Sequence, residues 1–579
     1  MRTTQRSALV LLFLLSHIRL FAAPVVSAVS PASHAITIPA NAAIVVDFNM
    51  PVNPATVTPA NVKAWGHWSG MMTGELLLEN TNTRIRFVPG RPFSAGELVT
   101  VFVSKNIQDS SGQPMLNGYS WTYWIRTAPA SMVLQEVQRL PVRQTGEPRI
   151  QTYGANGGDV NGDGYLDIVV VNEISHDIRV FLNNQGSYGP MSVYPIPTGA
   201  RPSTNESVDF DGDGILDFAC GNSTSDSVSV FIGNGDGTFQ GVKNYQTASG
   251  VRGLCILDVD GDGSLDIVTA NRAGNNISIL KNNGNGTFAP RVNMDANCDG
   301  ETSVAAADAN GDGILDLFVA AYNSNEVAIL LGNGAGGFVF SSKVTVGSRP
   351  WMIAVGDVNG DGKVDAVTVN SANATASVAF GNGLGGFSSV VSYSIGVFPL
   401  AIDLGDIDGD GDLDLVSSNF TSGTWTVYEN NGSGVFINPR TLQSSSAGSC
   451  ATLYDYDNDG DLDMTGIDEV DDLIFVFRNG PPAGVGESST KPLRFWLEQN
   501  YPNPFNPNTA INYQLKAVSQ VSIKVFDLLG REIATLVNEM KHPGSYSVTW
   551  EAGGLPSGVY FCRMRAGSFT ASRKMSLFR

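Results

Sequence analysis

Seven nine-residue segments of the chain carry oxygen-bearing side chains at fixed positions. They recur at intervals of 49 or 50 residues and begin at Asp159, Asp209, Asp258, Asp308, Asp357, Asp406 and Asp455. In each segment Asp or Asn occupies positions 1, 3, 5 and 9, and position 6 is always glycine. Two carboxylates about 4 Å apart repel each other by roughly 4 kcal/mol at an effective dielectric constant near 20. So many acids on one short loop therefore require a cation.

The donor set of these segments predicts calcium, with up to seven ions in the chain. Calcium accepts a flexible shell of six to eight oxygens, whereas magnesium retains waters and zinc prefers nitrogen or sulfur. Position 7 would add its backbone carbonyl. An EF-hand needs a glutamate at position 12 between two helices, but Val170, Thr269 and Gly466 stand at that position. Acidic turns that bind no metal are the alternative.

The predicted calcium ligands are the residues at positions 1, 3, 5, 7 and 9 of the seven segments. They are Asp159, Asn161, Asp163, Tyr165, Asp167, Asp209, Asp211, Asp213, Ile215, Asp217, Asp258, Asp260, Asp262, Ser264, Asp266, Asp308, Asn310, Asp312, Ile314, Asp316, Asp357, Asn359, Asp361, Lys363, Asp365, Asp406, Asp408, Asp410, Asp412, Asp414, Asp455, Asp457, Asp459, Asp461 and Asp463. We predict no catalytic and no further cofactor-binding residue.

Each acidic loop lies between two segments with the composition of β-strands. Runs such as IVVVN and SVSVFIGN are rich in β-branched and aromatic residues and end in Asn/Gly turns. Four such strands in about 50 residues indicate one propeller blade, since a β-helix would show shorter repeats. The seventh repeat lacks an outer strand, and we expect residues 132–142 to supply it and close the ring.

These loops resemble the FG-GAP repeats, also called VCBS-type repeats, of integrin α-subunit propellers. The resemblance extends to the downstream turns GNGDGTF, NNGNGTF, GNGAGGF and GNGLGGF. It implies an all-β chain with a seven-bladed calcium-binding β-propeller at residues 128–482.

The flanking regions suggest four further segments. Residues 1–23 have the basic start and short apolar run of a signal peptide. Residues 24–127 resemble a bacterial Ig-like β-sandwich, from SPASHAITIPANAAIVVDF to IQDSSGQPM. A Pro/Gly/Ser-rich linker at 483–495 precedes residues 496–579, whose YPNPFNP, VFDLLGREIATL and SGVYFCRM blocks resemble a type A sorting domain of type IX secretion in Bacteroidota-like bacteria. That resemblance implies handling by the type IX secretion machinery and release or attachment at the cell surface.

Charge and cysteine content exclude several classes of function. A net charge of −20 opposes binding to nucleic acid. No run after the signal peptide is long and apolar enough for a transmembrane segment. The five cysteines stand at unequal offsets in the repeats and indicate buried free thiols.

The sequence leaves three functions open. The first is a secreted or cell-surface calcium-binding protein that uses its ring for adhesion, with a glycan or protein ligand. The second is an extracellular polysaccharide-degrading enzyme, a lyase or hydrolase, and the third is a structural envelope protein. Because no nucleophile or catalytic-metal motif appears, enzyme activity is the less favoured reading. We expect ligand contacts on the face opposite the metal loops, with Arg201, Arg252, Arg349 and Trp351 as candidates.

Overall fold

The computed structural model describes residues 23–480, 495–497, 499–500, 502–515, 519–541, 544–567 and 569–578. Nearly all of the predicted signal peptide and linker lies outside these ranges. The described residues contain β-strands and two short 3-10 turns, Pro54–Thr56 and Asn80–Asn82, but no α-helix. The all-β prediction is confirmed.

The N-terminal region is a sandwich of two four-stranded antiparallel sheets. Its strands are β1 Val26–Ser30, β2 Ile44–Phe48, β3 Val62–Gly66, β4 Gly70–Met71, β5 Gly74–Glu79, β6 Arg84–Pro89, β7 Leu98–Val103 and β8 Tyr119–Trp124. The strand orders are β1-β2-β6-β5 and β4-β3-β7-β8. Alternate residues of β2 are buried, which is the period of a strand with one face on a core. Ile44, Val46 and Trp121 are among the residues between the two sheets.

Seven four-stranded antiparallel sheets follow in the described chain. Each of the first six is built from four consecutive strands. They are β10 Thr152–Gly158, β11 Asp167–Asn172, β12 Asp177–Phe181 and β13 Ser192–Pro195; β14 Pro202–Val208, β15 Asp217–Asn222, β16 Ser227–Phe231 and β17 Lys243–Gln246; β18 Val251–Leu257, β19 Asp266–Asn271, β20 Asn276–Leu280 and β21 Val292–Met294; β22 Glu301–Ala307, β23 Asp316–Ala321, β24 Glu326–Gly332 and β25 Phe338–Thr345; β26 Pro350–Gly356, β27 Asp365–Asn370, β28 Thr375–Gly381 and β29 Phe387–Ser394; β30 Pro399–Gly405, β31 Asp414–Asn419, β32 Thr424–Asn430 and β33 Phe436–Gln443.

The seventh sheet closes the ring with a strand from the other end of the repeat region. It combines β34 Gly448–Tyr454, β35 Asp463–Asp468 and β36 Leu473–Arg478 with β9 Gln135–Pro141, which pairs with β36 from Gln135↔Arg478 to Pro141↔Leu473. The expected clasp is confirmed. The innermost strands contact one another in sequence, and β34 contacts β10, so the seven sheets form a closed β-propeller.

The position of a strand in its blade explains its sequence pattern. All six residues of every second strand, such as β11 and β19, are buried because neighbouring blades cover both faces. Four of these strands, β11, β19, β23 and β27, are mostly apolar after their first aspartate. The outermost strands, such as β25, alternate between buried and exposed residues. All five cysteines are buried free thiols, as predicted.

The C-terminal region forms a second sandwich with its own core. Its strands are β37 Trp496–Leu497, β38 Asn508–Leu515, β39 Ser519–Phe526, β40 Glu532–Lys541, β41 Gly544–Glu551, β42 Gly558–Ala566 and β43 Phe569–Leu577. The described sheets have the orders β37-β38-β41 and β40-β39-β42-β43. Ile511, Val521 and Trp550 are among the residues that pack between them.

Candidate metal loops and central channel

Each acidic loop connects the innermost strand of a blade to its second strand. The aspartate at position 9 is the first residue of the second strand in all seven blades. The glycine at position 6 has a φ between 79° and 98° in every loop, a conformation that L-residues with a side chain rarely adopt. The invariant glycine thus sets the turn that folds the acids back on one another.

The first and ninth aspartates of each loop bind backbone N–H groups. In the third loop, Asp258 accepts hydrogen bonds from Gly261 and Gly263 N–H, both at 2.8 Å. Asp266 accepts one from Val259 N–H at 2.9 Å and one from Asn282 N–H, beyond the third strand, at 2.7 Å. The ninth aspartate makes the equivalent pair of bonds in all seven blades. It joins the loop to the rest of its blade.

Four loops bring three carboxylates together, with oxygen atoms that lie within 4.8 Å of one another. These groups are Asp209, Asp211 and Asp213; Asp258, Asp260 and Asp262; Asp406, Asp408 and Asp414; and Asp455, Asp457 and Asp463. Such a group in one loop is the oxygen donor set that calcium prefers.

Several buried oxygens of these loops have no hydrogen-bond partner. They are Oδ1 of Asp260, Asp406, Asp412, Asp457 and Asp461. A buried carboxylate oxygen without a partner is costly, and a calcium ion would supply the missing contact. Asp412 and Asp461 stand at position 7, where the sequence predicted only a backbone carbonyl ligand. The aspartate at that position in DIDGDGDLD and DYDNDGDLD was the available signal for a side-chain role.

The three loops with asparagine at position 3 differ from the other four. Asn161 and Asn310 donate hydrogen bonds to the position-5 carboxylates Asp163 and Asp312, at 3.1 and 3.0 Å. In the fifth loop, Lys363 pairs with Asp361 at 2.9 Å. Within the described residues these loops hold no cluster of three acids. Compensation by protein cations is not confined to these loops, since Lys281 pairs with Asp260 at 3.1 Å and Arg478 pairs with Asp457 at 2.9 Å.

Burial raises the pKa of the aspartate at position 9 of the loops. It raises the pKa of Asp167 to about 7, that of Asp217 to about 8 and that of Asp414 to about 9. Neighbouring loop carboxylates act in the same direction. A bound cation would reverse this effect by favouring the ionised form.

The N-terminal sandwich covers the face of the ring that carries the acidic loops. Lys105 N–H donates to Gly261 O at 2.8 Å, and Lys63 Nζ donates to Gly263 O at 2.7 Å. Other loops take part as well, since Ser120 N–H bonds to Gly313 O at 2.7 Å. The loop face is therefore an interface between the sandwich and the ring.

A cavity of about 290 Å³ occupies the centre of the ring. Trp65, His67, Trp68 and Trp124 of the sandwich line one end of it. The innermost strands run towards the acidic loops from the face of the ring opposite the sandwich. Their first residues therefore surround the end of the central cavity on that face, which we call the mouth of the channel. The channel is closed on the loop side by the sandwich.

Equivalent positions of the innermost strands form tiers in the channel. Tyr153, Arg252 and Trp351 lie at one level of the channel. Each follows the first residue of its innermost strand that pairs with the second strand. Glu206 and Asp403 share a level three residues further in, which is a depth of roughly 10 Å at the rise of a strand. Burial, with a contribution from Asp403, raises the pKa of Glu206 to about 8, and burial raises that of Asp403 to about 6.

All four residues predicted to contact a ligand interact directly or through a shared partner at this mouth. Arg201 and Arg252 both pair with Glu173, at 2.6 and 3.0 Å. The Arg252 guanidinium lies 6.0 Å from the centre of the Trp351 ring. Arg349, the fourth, lies 5.4 Å from the ring of Tyr322, which in turn contacts Trp351. Sequence reasoning missed Tyr322, Arg272, Glu206 and Asp403, because only the tertiary fold reveals their proximity.

Family models match three parts of the chain. A model of the FG-GAP-like repeat matches at 159–220, 209–269, 258–319, 308–368, 357–417 and 406–464, which together span more than half of the chain. A bacterial Ig-like domain matches at 22–124, and a secretion system C-terminal sorting domain matches at 499–577. No curated protein matches the sequence. Among the described residues, no helix has the length and apolar character needed to cross a membrane.

Several solved structures are similar to the chain at low identity. One is a lectin of Agrocybe aegerita that recognises non-reducing terminal N-acetylglucosamine (20% identity, 71% of this chain and 95% of that chain, TM-score 0.39). Others are a chain of BBS1N in complex with ARL6DN (12%, 61% and 98%, TM-score 0.42) and a chain of a humanized mutant Polycomb Repressive Complex 2 of Chaetomium thermophilum (8%, 60% and 97%, TM-score 0.42).

Proposed function

Because the chain belongs to the FG-GAP-like repeat proteins, we propose that its ring is a calcium-stabilised platform that binds an extracellular ligand without catalysing a reaction. The sorting domain indicates export to the cell surface or secretion and implies handling by the type IX secretion machinery. The observation that carries the calcium proposal is the convergence of three carboxylates in each of four loops.

The calcium ligands would be the side chains at positions 1, 3, 5 and 9 of each loop, with the backbone carbonyl at position 7. In the sixth and seventh loops, Asp412 and Asp461 would add carboxylate oxygens that lack partners. Bound calcium would neutralise acids that repel one another and would hold the loop against the sandwich. Its role in this proposal is structural.

The calcium proposal is tested by melting the full chain in EDTA, in calcium and in magnesium. Each site held at about 100 times its dissociation constant adds about 2.7 kcal/mol to the free energy of unfolding. We expect calcium to raise the melting temperature well above the value in EDTA, and magnesium to have a smaller effect because it retains waters. Identical melting curves in EDTA and calcium would contradict the proposal.

Two substitutions in one blade provide a matched comparison. Asp211→Asn removes a carboxylate from a three-acid cluster, whereas Asp236→Asn removes one from an exposed turn of the same blade, where Asp236 accepts bonds from Thr238. Calorimetric titration should show weaker calcium binding for the first variant only. Equal binding by both variants would mean that the cluster is not a calcium site.

The binding part of the proposal is tested with the calcium-loaded protein on glycan and extracellular-protein arrays. A ligand retained without chemical change supports it. Arrays that stay blank would instead favour a structural protein of the envelope.

One observation favours the alternative of a polysaccharide-degrading enzyme. Glu206 and Asp403 face the channel at one level, and two carboxyl groups with perturbed pKa values in a cavity are a common arrangement for acid–base chemistry. Depolymerisation of a polysaccharide by the full chain, lost in Glu206→Gln, would establish this function. Glu206→Gln that binds ligand like the parent protein, with no turnover by either, would exclude it for this pair.

A further inference from the structure

The mouth of the channel carries an aromatic platform held in a fixed orientation. Trp351 Nε1 donates a hydrogen bond to Tyr153 Oη at 3.1 Å. The rings of Trp351 and Tyr322 meet edge to face, with centroids 5.6 Å apart. Trp351 remains partly exposed, and its neighbour Met352 is 39% exposed. An ordered, accessible indole can pack against the C–H face of a ring-shaped ligand.

Two arginines on this platform have no carboxylate partner among the described residues. Arg272 lies 3.8 Å from the ring centre of Tyr322 and 5.2 Å from that of Trp351, and Arg349 lies 5.4 Å from the ring of Tyr322. Arg201 and Arg252, in contrast, share the buried carboxylate of Glu173. In a chain of net charge −20, the arginines at this mouth outnumber the carboxylates Glu173 and Glu469, the second of which pairs with Arg149 at 3.8 Å. Arg272 and Arg349 are available for an anionic group.

The deeper level of the channel, which carries Glu206 and Asp403 and is called the inner tier below, has hydrogen-bonding capacity that the protein does not use. Neither oxygen of Glu206 has a protein hydrogen-bond partner among the described residues, although the side chain faces the cavity. Asp403 accepts bonds from Leu404 and Leu453 N–H, both at 2.9 Å, and retains further lone pairs. A ligand that passes the mouth therefore meets carboxyl groups that can bind hydroxyls.

The geometry points to an acidic oligosaccharide as the ligand of this mouth, with a uronate carboxylate at Arg272 and Arg349, a pyranose face on Trp351, and hydroxyl groups directed towards Glu206. This inference rests on the proposed binding function and makes its ligand specific. A sugar acid supplies the three features together: an anion, an apolar ring face and many hydroxyls. An acidic peptide supplies the anion but has few hydroxyls for the inner tier.

The test measures binding of uronate trisaccharides to the full, calcium-loaded protein by calorimetry. Glucuronate, galacturonate and mannuronate trisaccharides are each compared with the carboxyl-reduced neutral sugar and with an oligoglutamate of equal charge. We expect at least one uronate to bind at least ten times more tightly than its neutral counterpart and than the oligoglutamate, because charge-assisted bonds to arginine are lost in the first and ring stacking in the second. No binding by any uronate, or equal binding by the neutral sugar or the peptide, overturns the inference.

Variants locate the site. Arg272→Gln and Trp351→Ala should each weaken binding at least tenfold, whereas Arg291→Gln, which removes an exposed arginine elsewhere on the ring, should not. Calcium-dependent melting confirms that each variant is folded, and Arg272→Gln remains informative if Trp351→Ala does not fold. Unchanged binding by a folded Arg272→Gln variant overturns the inference.

The array results and the Arg272→Gln variant distinguish binding of an acidic sugar from the more general binding function. A ligand found on the arrays that is uncharged, or whose binding ignores Arg272→Gln, leaves the binding function intact and removes the acidic sugar. Arrays without any ligand remove both.

Discussion

The acids of one loop have different tasks, although they look alike in the sequence. Asp266 is fully buried and accepts two backbone N–H groups, whereas Asp262 is only partly buried and accepts Ser264 N–H at 2.7 Å. We expect Asp266→Ala to lower the free energy of unfolding by about 2–4 kcal/mol even in EDTA, because it strands two buried donors. Asp262→Ala should lower the free energy of unfolding mainly when calcium is present. Urea unfolding with and without calcium separates the two, and equal losses in EDTA would contradict this division.

Glu206 should make the stability of the folded protein depend on pH. Its pKa is raised by burial to about 8 in the folded protein, above the value of about 4.3 in an unfolded chain. The folded state therefore holds this proton more tightly, and its contribution to stability is complete at low pH and is lost as the pH rises from about 4 to about 8.

Replacing this carboxyl group should remove that loss. We expect Glu206→Gln to raise the free energy of unfolding at pH 9 by roughly 1–3 kcal/mol and to leave it nearly unchanged at pH 4. Urea unfolding in calcium at several pH values measures the difference. A parallel pH profile for the variant and the parent would show that Glu206 is ionised without cost.

At the scale of single elements, the clasp determines whether the ring is closed. Leu140 of β9 is 6% exposed and pairs with Ile474, whereas Val137 of the same strand is 44% exposed. Leu140→Ala should cost about 2–4 kcal/mol, and Val137→Ala should cost well under 1 kcal/mol. Hydrogen exchange should become faster in β36 for Leu140→Ala and remain slow in β27. Uniform acceleration across all blades would mean that the ring opens as one unit.

The sequence predicted elements better than it predicted their contacts. The spacing of the loops, the Asn/Gly turns and the missing outer strand were enough to predict the β-strands, the blades and the clasp, because these follow from local pattern and repetition. The sandwich on the loop face depends on Lys63, Lys105 and Ser120, which belong to no motif. The aromatic platform joins Tyr153 to Trp351 across 198 residues, and one sequence gives no signal for such a pair.

The N-terminal sandwich docks on the loops that are proposed to bind calcium, so calcium bound in the ring should also affect how the sandwich is held. The amide N–H groups of Lys105, Ser120 and Ala128 donate to the loop carbonyls of Gly261, Gly313 and Gly460. If calcium orders those loops, exchange of these three amides should slow when calcium is added, while the amide of Val101, inside the sandwich sheets, should not change. Exchange measured on the full chain with calcium and with EDTA tests this. Three unchanged amides would show that docking is independent of the metal.

The clasp also determines how the molecule would respond to tension. The chain enters β9 at Gln135 and leaves β36 at Arg478, and these two residues face each other at the same end of the antiparallel pair. A force that pulls the N-terminal sandwich away from the C-terminal one would, once the sandwich has left the loop face, act on this end alone. It would then part the strands one hydrogen bond after another and would not shear all of them together. The hydrogen bonds between β9 and β36, which complete the ring, would thus open in sequence from Gln135 and Arg478 when the molecule is stretched.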